Sequence, residues 1–339
     1  MKRTALLLLV LSAAVPVFAD HRRAVYPSAP GCAEAIIASP YFANDFAVDG
    51  EFLYFTDDVG GLFRIPKAGG SGPAAVAQLA NSQILSIAVD AQKVYFVAVN
   101  DFAEDLFADI YAVAKAGGSP ALLLSGVITP FQLLVDDGNL YWNSLGTDNG
   151  EDVLADGKIE KLRKDGTGRV ALASDLSYPL SIALDGANVL FGETGIALGD
   201  PSAGLRSVPK AGGAVTNLTD GSPVIGIAAG PDAIYFGALS STSLSGTINR
   251  YDRATRVVTE LASEFSALPI EVQLAGDQVY YYYLSDVDSI RVVPAAGGTS
   301  RTLQSGIFTT PEFVVDGCAL YYGDLDSETF MGSVHRTPR

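Results

Sequence analysis

Phe46–Phe55 reads FAVDGEFLYF. An apolar triplet runs into Asp-Gly, and an aromatic-rich segment begins four residues after the Asp. The phrase returns as IAVDAQKVYF (Ile87–Phe96), LLVDDGNLYW (Leu133–Trp142), IALDGANVLF (Ile182–Phe191), IAAGPDAIYF (Ile227–Phe236), VQLAGDQVYY (Val272–Tyr281) and FVVDGCALYY (Phe313–Tyr322). Its fourth residue falls at 49, 90, 136, 185, 230, 275 and 316, with spacings of 41, 46, 49, 45, 45 and 41 residues. Internal repeats of about 40–50 residues are the mark of propellers, solenoids or arrays.

Around this phrase each copy carries four β signals. Segment a is the apolar triplet and segment b the aromatic run. Segment c is the type seen at Gly61–Gly70 (GLFRIPKAGG), and it returns at Ile110–Gly118, Gly204–Gly213 and Ser289–Gly298. Segment d resembles PALLLSG (Pro120–Gly126). Lys-Ala-Gly-Gly stands between c and d, where a tight hairpin needs residues that tolerate positive φ. The b segments are apolar at consecutive positions, as at Leu53-Tyr54-Phe55. A half-exposed strand would alternate, so these strands are expected to be buried on both faces. Four antiparallel strands per repeat, seven times over, predict an all-β, seven-bladed β-propeller. The fifth and sixth copies lack the Asp, which leaves six regular blades plus an irregular unit as the alternative count.

The chain's 339 residues are 48% hydrophobic and 18% charged, with Gly 35 and Pro 17, which suits a turn-rich all-β core. Met1-Lys2-Arg3, the apolar run Thr4–Phe18 and Val17-Phe18-Ala19 read as a signal peptide over 1–19, cleaved after Ala19. The expected layout is then a linker over 20–31 and one propeller over 32–339, secreted or periplasmic and monomeric. No later segment is long and apolar enough to insert in a bilayer. The formal net charge of −16 argues against nucleic acid and anionic lipid as partners.

The seventh copy has segments a, b and c but ends at Arg339 before a d. Cys32–Ser39 supplies a surplus d-like segment before the first a. It is expected to complete the last blade and close the ring, removing two exposed edges. The same arrangement brings Cys32 and Cys318 to one end of that sheet, which predicts a Cys32–Cys318 disulfide in an oxidising compartment.

Tyr54-Phe55-Thr56-Asp57 and Gly157–Leu172 (GKIEKLRKDGTGRVAL) resemble the YWTD repeats of low-density-lipoprotein-receptor propellers. The wider pattern, with its KAGG hairpins, resembles secreted bacterial propellers of the TolB-like and YncE-like kind. The resemblance implies a propeller over nearly the whole mature chain and no particular activity. YWTD and TolB-like rings normally have six blades against the seven counted here, so no binding residue is carried over.

Two places could hold chemistry. The residue four before each anchor forms a column: Asp45, Ser86, Gln132, Ser181, Gly226, Glu271 and Glu312. It is always followed by an apolar residue, which puts it at the entry of the innermost strands, at the mouth of the central channel. Asp45, Glu271 and Glu312 come from blades adjacent in a closed ring. With Asn44 they resemble the metal-bearing channel of lactonase-type propellers and could hold a hard cation such as Ca²⁺; the plain alternative is a hydrated polar rim. The second place is the pair of acidic b–c loops. One holds Phe102 and Asp105 within 100–109; the other holds Asp148, Glu151 and Asp152 within 143–157. With Gln132 of the column, these are the candidate binding residues, since variable loops on a rigid scaffold are where binding resides.

Nucleophilic or zinc chemistry finds little material: two histidines, two cysteines and no G-x-S-x-G motif. The expectation is therefore a non-enzymatic scaffold for a protein, peptide or glycan, with no confident cofactor. The alternative is a calcium-type, lactonase-like hydrolase.

Overall fold

The computed structural model describes residues 34–69, 71–100, 107–147, 155–195, 200–240, 245–307, 312–326, 328–329 and 331–339. The signal peptide, the linker and Cys32 lie outside the described residues, as do Phe102, Asp105, Asp148, Glu151 and Asp152. Among the described residues there is no α-helix, and no helix long and apolar enough to cross a membrane.

The chain opens with β1 (Ala35–Ala38) and then builds six consecutive sheets of four strands. Blade 1 is β2 (Phe46–Val48), β3 (Phe52–Thr56), β4 (Gly61–Pro66) and β5 (Ala74–Gln78). Blade 2 is β6 (Ser82–Val89), β7 (Lys93–Asn100), β8 (Phe107–Ala114) and β9 (Ala121–Ile128). Blade 3 is β10 (Pro130–Val135), β11 (Asn139–Ser144), β12 (Gly157–Arg163) and β13 (Val170–Leu176). Blade 4 is β14 (Pro179–Asp185), β15 (Asn188–Glu193), β16 (Gly204–Pro209) and β17, a two-residue outer strand (Thr216–Asn217). Blade 5 is β18 (Val224–Ala229), β19 (Ala233–Leu239), β20 (Ser245–Asp252) and β21 (Val258–Phe265); blade 6 is β22 (Leu268–Ala275), β23 (Gln278–Leu284), β24 (Ser289–Pro294) and β25 (Arg301–Ser305).

Blade 7 takes β26 (Phe313–Asp316), β27 (Ala319–Leu325) and β28 (Gly332–Pro338) from one end of the chain and β1 from the other, in the order β1-β28-β27-β26. Ala35 faces Arg336, and Ile36 faces His335. The result is a seven-bladed propeller closed by its first strand. The fifth and sixth units are regular blades despite their missing Asp.

The b strands are buried on both faces, as their unbroken apolar runs require. On β3, Leu53 and Phe55 pack into the core shared with Tyr321 and Val334 of blade 7. Tyr54, on the opposite face, packs with Ile84 and Phe96 of blade 2. Burying such a side chain stabilises by about 1.5–3 kcal/mol, so each interface between blades is a core in its own right. The KAGG turns behave as expected: Gly117 N–H donates to Ala114 O at 2.9 Å, and Gly117 and Gly118 sit at φ of 97° and 141°.

The cation that follows segment c, which is the KAGG lysine in blades 1, 2 and 4, does more than flank a turn. Lys115 of blade 2 pairs with Asp49 of blade 1 at 2.7 Å, and Lys164 of blade 3 with Asp90 of blade 2 at 2.8 Å. Lys210 of blade 4 pairs with Asp136 of blade 3 at 3.1 Å, Arg253 of blade 5 with Asp185 of blade 4 at 2.9 Å, and Lys67 of blade 1 with Asp316 of blade 7. Each Asp is the anchor of the opening phrase. The Asp is itself fixed: Asp49 Oδ1 accepts from Glu51 and Phe52 N–H, and Oδ2 from the Tyr54 hydroxyl. Five of the seven interfaces are thereby latched. Blades 5 and 6 carry Gly230 and Ala275 at the anchor and so offer no carboxylate. In step with this, blade 6 has Ala295 in place of the lysine.

Candidate binding face

In an antiparallel blade the a strand starts where b ends, so the b–c loops and d–a connections of all blades share one face. The a–b turns and c–d hairpins, with the latches, occupy the other. The column from Asp45 to Glu312 lies at the loop-face end of the innermost strands, and a central cavity of about 510 Å³ is lined by those strands in blades 2 to 6, with Gln132 and Glu271 of the column on its wall.

The column has a structural task. Innermost strands of neighbouring blades form no ladder with each other, so their N–H groups need other acceptors. Ile87 N–H donates to Asp45 Oδ2 at 2.7 Å, Leu133 N–H to Ser86 Oγ at 3.1 Å, and Ile182 N–H to Gln132 Oε1 at 2.9 Å. Asp45, Ser86 and Gln132 thus staple blades 1, 2 and 3 to the next blade in the ring. Gln132, expected as a binding residue, stands on the channel wall with its side-chain oxygen engaged in this way. At Gly226 no side chain fits, because a Cβ would lie 2.7 Å from Ile270 O. In blade 6 the task moves two residues along. Gln273 accepts from Val315 N–H at 2.9 Å, and its amide donates to Phe313 O at 2.5 Å and to Glu271 Oε1 at 3.1 Å. Glu271 is released from stapling.

Asp45, Glu271 and Glu312 are brought together as expected. They are half-buried on a channel wall crowded by the ring's own atoms. Burial is the main force on all three, and their mutual repulsion adds to it for the glutamates. Asp45 is pushed up to about 7 against the amide bonds it accepts, Glu271 to about 8, and Glu312 well above the ordinary range. Among the described residues, no three His, Cys, Asp or Glu side chains are arranged to hold a metal ion. The physical reason lies partly in the staples, since both Asp45 oxygens point at backbone N–H groups, Phe46 at 2.6 Å and Ile87 at 2.7 Å.

The loops are anchored at their described ends. Thr147 donates through N–H and hydroxyl to the two oxygens of Asp156, at 2.7 and 2.8 Å, clamping the ends of the blade 3 loop together. In blade 2, Asp109 accepts Gly126 N–H at 3.1 Å, tying the start of β8 to β9. Beside it Phe107 is exposed and faces Ile128 directly across the strand pair. Sequence reasoning missed Val59, Phe265, Val287 and Met331, which are also exposed at this face. For Val59, Val287 and Met331 the signal was available as apolar residues inside polar connections.

No protein-family model and no curated protein matches the chain. Among solved structures it is similar to YCF48 bound to a D1 peptide, at 11% identity and a TM-score of 0.62, over 92% of this chain and 97% of that one. It is similar to the WD40 β-propeller domain of Doa1, at 12% identity and a TM-score of 0.61, over 89% and 96% of the two chains. It is also similar to oligogalacturonate lyase from Vibrio parahaemolyticus, at 10% identity and a TM-score of 0.59, over 89% and 90%. At such identities the likeness shows the fold alone, and the same ring serves binders and enzymes.

Proposed function

We propose that the chain is an exported, non-enzymatic propeller that binds a protein, peptide or glycan on its loop face. The observation that carries this reading is the set of exposed apolar side chains on that face, with Phe265 at 74% and Val59 at 62%, set among clamped loops of unequal length. Exposed apolar groups on a rigid scaffold mark interaction surfaces. YCF48, of the same fold, has been solved with a peptide. Export follows from the leader read at 1–19, and the Cys32–Cys318 bridge belongs to the same proposal. What supports the bridge is the register of the described strands: Ala35 lies opposite Arg336 on β28, and Arg339 N–H donates to Cys318 O at 3.1 Å.

The test replaces 101–106 or 148–154 by short Gly-Ser segments and compares retention of partners from extracellular or periplasmic fractions. Loss of retention with an unchanged melting temperature is the expected result. Stoichiometric calcium in the purified protein, with turnover of lactones or esters that vanishes in Glu271→Gln/Glu312→Gln, would replace this reading with the hydrolase.

A further inference from the structure

The two faces differ in charge as sharply as in architecture. The b–c connections run over 57–60, 101–106, 145–156, 194–203, 240–244, 285–288 and 326–331; the d–a connections run over 39–45, 79–81, 129, 177–178, 218–223, 266–267 and 306–312. In sequence, none of these fourteen segments contains a Lys, Arg or His. They contain carboxylates in six of the seven b–c loops, among them Asp58, Asp105, Glu151, Asp286 and Glu328. The strand cations nearest this face are Lys158, at the start of β12, Arg206, which is buried and paired with Glu193 and Asp220, and Arg291, the third residue of β24, which is paired with Glu264 beside Phe265. The latch cations all lie on the opposite face, where each meets an Asp.

Exposed apolar side chains sit inside this acidic surface. Asp58 precedes Val59, Asp286 precedes Val287, and Glu328 stands three residues before Met331; all six are exposed. With Phe265 from blade 5 and the Phe107–Ile128 pair from blade 2, they span blades 5, 6, 7, 1 and 2 in ring order. The exposed apolar residues of the other side, such as Leu122 and Val170, recur near the starts of the outermost strands on the rim.

An anionic surface studded with aliphatic and thioether groups selects its partner by charge and by apolar burial together. Nucleic acid and anionic membrane are repelled. Sugars are recognised by stacking on aromatic faces, and four of these six apolar residues are Val, Ile or Met. We propose that the loop face docks a cationic polypeptide segment in which Lys or Arg alternates with apolar side chains. This rests on the loop face being the binding surface and adds the chemistry of the partner.

The full mature chain is titrated by fluorescence anisotropy with three labelled 12-residue peptides, Lys/Leu, Ser/Leu and Glu/Leu. The Lys/Leu peptide is expected to bind at least tenfold more tightly than the other two, and to weaken about tenfold between 50 and 300 mM salt as screening shortens the reach of the charges. Asp58→Asn/Asp286→Asn/Glu328→Gln and, separately, Val59→Ser/Phe265→Ser/Met331→Ser should each weaken it about tenfold. Leu122→Ser/Val170→Ser on the rim should leave it unchanged. Equal binding of the Ser/Leu peptide, still lost in the loop-face apolar variant, would overturn the charge argument and leave the binding face standing. Absence of Lys/Leu binding, or binding lost only in the rim variant, would overturn the proposal. In the second case the face assignment falls with it.

Discussion

Raising the pH from 4.5 to 8.5 should destabilise this protein, against the usual behaviour of an acidic chain rich in ion pairs. Asp45 keeps its proton to about 7 in the fold and to about 3.8 in the unfolded chain; Glu271 keeps its own to about 8 against 4.5. The native state therefore holds more protons than the unfolded state between those limits, so stability falls as pH rises through that window. Three units correspond to about 4 kcal/mol per group, at about 1.4 kcal/mol per unit. Halving this for solvent contact at the channel wall leaves about 2 kcal/mol per carboxyl. For roughly 300 ordered residues, with an unfolding entropy of about 2 cal/mol/K per residue, that is about 3 °C each.

The latch aspartates pull the other way and are separable. Asp49, Asp90 and Asp136 are held down to about 2, so their contribution is present above about 4 and is lost only as pH falls towards 2. The maximum should lie near pH 4–5, with a decline of about 5–10 °C by pH 8.5. Glu271→Gln/Glu312→Gln, melted by differential scanning fluorimetry across the same range, should flatten that decline and raise the melting temperature at pH 8. A wild-type curve that is level or rising from pH 4.5 to 8.5, or an identical slope in the double variant, would refute the reasoning.

Asp49→Ala removes the acceptor of two backbone N–H groups, the Tyr54 hydroxyl and Lys115 at once, and should cost about 3 kcal/mol in urea unfolding. Ala275→Asp should stabilise by about 0.5–1 kcal/mol, read as a rise in urea midpoint, by completing a sixth latch. Arg339 stands where Lys67 stands in blade 1: Arg339 N–H donates to Cys318 O as Lys67 N–H donates to Glu51 O, at 3.1 and 2.9 Å. Intact-mass measurement without reductant should show the mature chain two hydrogens lighter than its fully reduced form, and Cys318→Ser should cost about 2–5 kcal/mol in a reversible unfolding assay.

The ring was legible because blade construction is local. Phe46–Phe55 and its six copies each contain an a–b hairpin, and Gly-Gly after the c segment marks the next turn. Closure by β1 was legible too, since a blade missing its fourth strand requires a donor. The latch was not, because Asp49 and Lys115 belong to different copies and are 66 positions apart in the numbering. Aligning copies with one another shows what each contains, while the pairing runs from one copy to the next. The clue was paired loss: Gly230 replaces the anchor in blade 5, and Ala295 replaces the cation in blade 6. The carboxylate column was visible as a column. Its use of Asp45 to hold Ile87 N–H was not, since stapling depends on how closely two innermost strands approach.

The two devices that join blades both depart from the repeat over blades 5 and 6. Latching is absent where blade 5 meets 6 and where 6 meets 7, because Gly230 and Ala275 carry no carboxylate. Within these same blades the column passes through Gly226, Glu271 and Glu312, with the staple moved to Gln273. Blades 5, 6 and 7 also present Phe265, Val287 and Met331 to solvent on the loop face. A residue held by an interface is not free to meet a ligand, and a closed ring needs only enough interfaces to stay closed. Blades 1 to 3 carry both devices, blade 4 carries the latch, and blade 7 is secured to blade 1 by Lys67 and Asp316 and completed by β1. Blades 5 and 6 are thus where the anchor and the column depart furthest from the repeat, and the ring stays closed through the five latches and the strand exchanged at β1.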